Sequence, residues 1–236
     1  MITASGGTPE TTVGDHRRAA SRGPQVPHWR PAFMVIGVSI DVIIGMVILQ
    51  ALAMDRSLGP RFNIPAGSIT VCSFAAFIAA TPVLERAVFP LWCRATGALP
   101  TPMKRVGLGH FVNIAGMVVA ALVERRRLGI VSVHHGANEA PEWVTPMSVL
   151  WLLIPLGLVG AGEACISRAC RRFLLLWGSI SAVSTVFVDV VRRVTTWLPG
   201  NINLGRLDNL YWALAVTATV NSGYFLICVL LYKSSK

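Results

Sequence analysis

The sequence predicts an all-α membrane protein of six transmembrane helices, and three observations carry that expectation. Hydrophobic residues make up 53% of the 236-residue chain and charged ones only 14%, where soluble domains carry about 25% charged residues. Mean hydropathy is +0.60. The apolar residues gather in six runs, each near the roughly 20 residues that a helix needs to cross the hydrocarbon. These runs are continuously apolar instead of alternating, which argues against a membrane β-barrel. Six buried helices in water would leave too little polar chain to cover them, which argues against a soluble helical core.

Residues 1–30 are polar, contain Gly, Pro and Arg, and show no apolar periodicity. They read as a disordered leader, because no short apolar segment with a small-residue cleavage site follows the basic part. Glu10 and Asp15 also argue against a transit peptide, a class poor in acids. Residues 31–236 then form the six-helix bundle, with spans expected at about 31–54, 64–84, 106–123, 143–166, 173–191 and 209–232. The first span holds one charge, Asp41, and the second holds none. His110 and Asn113 lie inside the third. Pro155 should kink the fourth, which carries Glu163, and Asp189 sits near the end of the fifth. The sixth is uncharged. The third and fifth are the shortest.

The net charge of +10 does not point to nucleic acid, whose binders gather basic residues on one exposed face. Here they fall in short groups between apolar runs, which reads as membrane orientation with anionic headgroups as counter-charge. The larger share of the 21 Lys and Arg, among them Arg17, Arg18, Lys104, Arg105, Arg171 and Arg172, falls on one side. That places both termini in the cytoplasm by the positive-inside rule. The cluster Arg125–Arg127 falls on the other side.

Glu163 is the leading candidate for function. It stands in Leu158-Val159-Gly160-Ala161-Gly162-Glu163-Ala164, at the end of a run that is otherwise uncharged from Trp143. A bare carboxylate in hydrocarbon costs roughly 2.5–3.5 kcal/mol on insertion scales, so it should face a bundle interior or a wet cavity. Gly160 and Gly162 would let a helix or a ligand approach the backbone closely. The competing interpretation is an acid that reaches the interface and pairs with Arg168 or Arg171. Asp41 is the second candidate. Gly37 and Gly45 flank it at i−4 and i+4 on one helix face, which suits close packing and a proton carrier, or a structural hydrogen-bonding acid.

His110 and Asn113, one turn apart, would line the same cavity or join helices. His134 and His135 lack metal-ligand spacing and read as a solvated loop. Asp189 precedes Arg192 and Arg193 at helical ion-pair spacing. Trp92, Trp143, Trp197, Tyr211, Trp212 and Tyr232 sit near run ends, where aromatic anchors form. The five cysteines form no disulfide or metal framework and read as small apolar residues. No phosphate loop, dinucleotide fingerprint, nucleophile elbow or zinc-protease signature is present. The expectation is a protein that is not an enzyme and needs no cofactor or metal.

Several motifs together resemble the plant nitrate/peptide transporter family, a branch of the proton-dependent oligopeptide transporters within the major facilitator superfamily. They begin with Gln50-Ala51-Leu52-Ala53-Met54-Asp55-Arg56, Leu58-Gly59-Pro60 and Ile64-Pro65-Ala66-Gly67-Ser68. Val118–Arg127, Gly160–Ala164 and Trp197-Leu198-Pro199 follow, and Asn201-Ile202-Asn203, Gly205–Asp208 and Tyr211-Trp212 close the series. They span most of residues 36–233 and match only the family's C-terminal six-helix half. The resemblance implies a proton-coupled secondary transporter of nitrate, peptides or related small solutes, present as a truncated form. It implies that Glu163 contacts substrate or proton in a central cavity, and it assigns no role to Asp41. The implied partners are a small-molecule substrate, protons and lipid, with no nucleic acid. The implied location is a multi-pass position in the plasma membrane first and the vacuolar membrane second. The alternative is a non-transporting half that associates with full-length relatives.

Overall fold

The computed structural model describes residues 30–59, 61–133, 143–169 and 177–234. The leader therefore lies outside the described residues, apart from Arg30. Six helices account for most of the rest. Five are long and apolar enough to span a membrane, and α5 is the exception.

Helix α1 (Arg30–Leu52) is apolar around most of its circumference. It is buried against α5, α6 and the start of α2. It stops at a turn, after which β1 (Met54–Asp55) pairs in parallel with β2 (Thr145–Ser148). The Thr145 N–H donates to the Ala53 carbonyl at 2.9 Å. Residues 145–148, expected inside the fourth span, are thus extended backbone whose hydrogen bonds go to another chain segment.

Helix α2 (Ala66–Thr96) is twelve residues longer at its far end than the apolar run that announced it. Charges at Glu85 and Arg86 end the hydropathy signal but do not end the helix. Pro82 lies inside and is followed by a π turn at Leu84–Val88. The proline ring removes one N–H and crowds the preceding turn, and a wider turn absorbs the misfit. Gly97, in the left-handed region at φ 73°, closes the helix by donating to the Cys93 carbonyl at 2.8 Å.

Helix α3 (Pro102–Val133) runs for 32 residues, well past the expected 106–123. Arg105 packs over Phe89, with its Cζ 4.3 Å from the ring centroid, and Arg126 packs over Trp151 at 4.5 Å. These two arginines are 21 residues apart, about 31 Å of helix rise, which matches the roughly 30 Å of hydrocarbon in a bilayer. Both side chains lay their apolar stems and flat heads on aromatic rings at the edges of the span.

Helix α4 (Leu153–Ala169) follows a 3-10 turn at Val149–Leu152. Pro155 therefore lies in the first α-helical turn, where a missing N–H costs little. The expected mid-helix kink becomes a helix start. Helices α5 (Trp177–Val194) and α6 (Leu207–Ser234) complete the bundle. Packing centres on α3, which lies against α4 and α6, while α4 also lies against α2.

Glycines set how closely these helices meet. A Cβ on Gly160 would land on the Ser73 carbonyl oxygen and 3.0 Å from the Phe77 nitrogen, so α4 touches the α2 backbone there. A Cβ on Gly162 would fall 2.6 Å from the Asn113 side chain on α3. Gly37 is capped by Ile180 of α5, but Gly45 meets nothing within 4 Å and is exposed. The close-packed face proposed around Asp41 is therefore only half realised.

Candidate functional site

Glu163 is buried on α4, with 7% of its surface exposed. Its neighbour Gly162 abuts α3, and Gly160 abuts α2. One helix turn thus wedges between two others and points its single carboxylate inward. Glu163 Oε1 is buried without a hydrogen-bond partner, and no lysine or arginine pairs with Glu163 among the described residues. Among the described residues, the carboxylate of Asp41 is near enough to act on it electrostatically. Arg171 and the Arg168 side chain, the alternative partners, lie outside the described residues.

Asp41 is half-buried on α1 and faces α5. Ser181 Oγ donates to its Oδ1 at 3.3 Å, and Ser184 Oγ donates to its Oδ2. Nothing about these serines announced the contact in sequence, beyond their three-residue spacing on one helix face. The two candidate acids, 122 positions apart in the chain, are thus brought into one interior from α1 and α4.

Asn113 is fully buried beside Gly162, with both amide atoms lacking a hydrogen-bond partner. His110, one turn away, bonds through Nδ1 to the Val106 carbonyl at 3.0 Å. A carbonyl only accepts, so Nδ1 carries the hydrogen and Nε2 is left as a bare acceptor, itself without a partner. The imidazole stacks on Phe225 of α6 at 5.1 Å and meets Phe33 of α1 edge-on at 6.4 Å. His110 thus meets α1 and α6 through its ring, while its hydrogen bond stays within α3. His134 and His135 lie outside the described residues. No group of three or more metal-ligating side chains occurs among the described residues.

A second buried charged site was not anticipated as one. Arg127, counted in sequence with the Arg125–Arg127 cluster on the non-cytoplasmic side, is completely buried together with Glu124. Arg127 donates from Nε to Glu124 Oε2 at 2.8 Å and from an Nη to Oε1 at 2.7 Å, a two-pronged ion pair one turn apart on α3. The other Nη reaches Asn203 Oδ1 at 2.6 Å. Gln50 at the end of α1 donates to Glu124 Oε2 at 2.6 Å and accepts from the Tyr211 hydroxyl at 3.1 Å. Asn203 donates in turn to the Trp143 carbonyl at 3.2 Å. Tyr211, expected as an interfacial anchor, is fully buried in this network. Gln50, Glu124, Arg127, Asn203 and Tyr211 all sit inside the motifs that carried the family resemblance, which was the one available signal.

Among the described residues Asp189 pairs with Arg193, at 2.8 Å. Arg192, expected to share it, has no ion-pair partner among the described residues.

These motifs and this bundle agree with the comparison to known proteins. Residues 34–176 match the model described as PTR2, POT family. The chain belongs to the POT family. Among its relatives in Arabidopsis thaliana, Protein NRT1/ PTR FAMILY 2.6 is 40% identical over 219 residues, covering 86% of this chain and 39% of the relative. Protein NRT1/ PTR FAMILY 2.7 is 39% identical over the same shares, and Protein NRT1/ PTR FAMILY 2.3 is 37% identical over 84% of this chain. The chain spans about two fifths of the length of the curated relatives it matches. It is an integral membrane protein of the POT family, built from apolar helices.

Proposed function

We propose that this chain is the C-terminal half-bundle of a proton-coupled secondary transporter for nitrate, peptides or related small solutes. Glu163 is the protonatable contact in its central cavity, and Asp41 is a second proton- or substrate-binding acid. The single observation that carries the reading is a buried Glu163 oxygen that no described residue satisfies, in a chain of the POT family. A buried charge without a partner is costly, and membrane proteins retain such groups where ions or substrates bind. The energy comes from a proton gradient, and the movement is alternating access, with paired bundles rocking about a site between them. No enzymatic step enters this reading.

Orientation and location extend the proposal. Both termini face the cytoplasm, and the plasma membrane is the first place to look, with the vacuolar membrane next. The test is pH-dependent uptake of labelled nitrate and a dipeptide into cells expressing the chain, with surface expression confirmed. Uptake that rises at acid pH and falls to background with Glu163→Gln supports the reading. Uptake unchanged by Glu163→Gln sinks the assignment of Glu163.

A further inference from the structure

The two ends of the bundle carry their charge differently. At one end Arg127 meets Glu124, Arg193 meets Asp189 and Arg206 meets Asp208. At the other end lies the tip formed by the close of α2 and the start of α3. There, residues 84–107 hold Arg86, Arg94, Lys104 and Arg105 against a single acid, Glu85. Arg86, Arg94 and Lys104 are exposed, and so are two large apolar side chains, Leu91 at 66% and Leu99 at 63%.

The tip is held as one piece. Leu84 and Phe89 of α2 are buried with Ala164 and Cys165 of α4, and Leu108 of α3 packs against them. Arg105 lies over Phe89 and donates from Nε to the Pro100 carbonyl at 3.2 Å, which ties the connecting loop to α3. That pair marks an edge of the span, so residues 90–96 of α2 rise about 10 Å beyond it. The headgroup layer of one leaflet is about 5–7 Å thick. The close of α2 therefore crosses headgroups, a depth where leucines reach the acyl boundary and cations reach phosphates. A soluble acidic partner would leave Leu91 and Leu99 in water, whereas an anionic phospholipid meets both the leucines and the cations.

We propose that this tip is a binding site for anionic phospholipid, with Arg86, Arg94 and Lys104 on the headgroup and Leu91 and Leu99 at the acyl boundary. It rests on the orientation proposed above only for the leaflet that supplies the lipid, the anionic cytoplasmic one. The experiment takes the purified chain in dodecyl maltoside with equal phosphatidylglycerol and phosphatidylcholine, and counts retained lipids by native mass spectrometry. Wild type should retain phosphatidylglycerol in excess. The triple variant Arg86→Gln, Arg94→Gln and Lys104→Gln should lower that excess by about tenfold or more. The triple variant Arg56→Gln, Arg61→Gln and Arg193→Gln, at the other end, should keep it. No excess on wild type, or equal losses from both triple variants, would overturn the proposal. Leu91→Ser with Leu99→Ser should lower the amount of phosphatidylglycerol retained about threefold. An unchanged amount would also overturn it and assign the cations to a soluble polyanion. An impermeant amine reagent on intact cells reads orientation separately: labelling of Lys104 from outside would overturn the orientation and leave the site standing. Thermal unfolding of each variant keeps loss of binding separate from loss of fold.

Discussion

Two charged sites lie inside this bundle, and they are opposites. The Glu124–Arg127 pair is saturated: both carboxylate oxygens and all three guanidinium nitrogens have partners on α1, on α3 or in the segment before α6. Around Glu163 the reverse holds. One of its oxygens, both amide atoms of Asn113 and one nitrogen of His110 are buried without a hydrogen bond. The same α3 helix serves both, about three turns apart between Asn113 and Glu124. A satisfied network fixes one arrangement, and an unsatisfied one leaves capacity for something to bind. The first region thus reads as scaffold and the second as site.

The sharpest way to break this contrast is to remove one partner from the saturated pair. Arg127→Met leaves Glu124 buried and uncompensated, which should cost about 3–5 kcal/mol. Thermal unfolding in detergent should show it, and the double variant Glu124→Gln with Arg127→Met should be less damaged than Arg127→Met alone. A single variant as stable as wild type would show that the network is not holding the helix ends.

Helix contact near the site comes next. Gly160→Ala forces a methyl against the α2 backbone and should cost about 1–3 kcal/mol by overpacking. Gly157→Ala, three residues earlier with nothing within 4 Å, should gain up to about 1 kcal/mol from helix propensity. Equal effects from the two would mean that α2 and α4 are not in backbone contact at Gly160.

Glu163→Gln should change stability by less than about 1 kcal/mol, in the favourable direction. It removes a buried acid that has no cationic partner among the described residues, in keeping with the usual trade between stability and function. A loss comparable to Arg127→Met would make Glu163 a scaffold residue and collapse the contrast.

The smallest effect belongs to Asp55, outside the spans. The Ser57 N–H and hydroxyl hold its carboxyl below the ordinary value. Its contribution is therefore present above the usual unfolded carboxylate range and fades as pH falls through the lowered folded value. Asp55→Asn should differ slightly from wild type at neutral pH and converge with it in acid, seen in unfolding curves across pH.

The chain by itself determined the solvent, the fold class and the leading candidate residue. Those follow from local sums: the length of each apolar run, the scarcity of charge, and a lone acid among glycines. It misjudged where helices end, because hydropathy reports a change of solvent, and a helix continues through Glu85 or Glu124 when its backbone bonds do. Only the tertiary structure decided which face of each helix meets which neighbour. That made Arg127 a buried clamp, moved Tyr211 from the interface to the core, paired Asp189 with Arg193, and set Asp41 against Ser184. Side-chain pairing across 74 to 161 positions depends on three-dimensional proximity, and no periodicity along one segment encodes it.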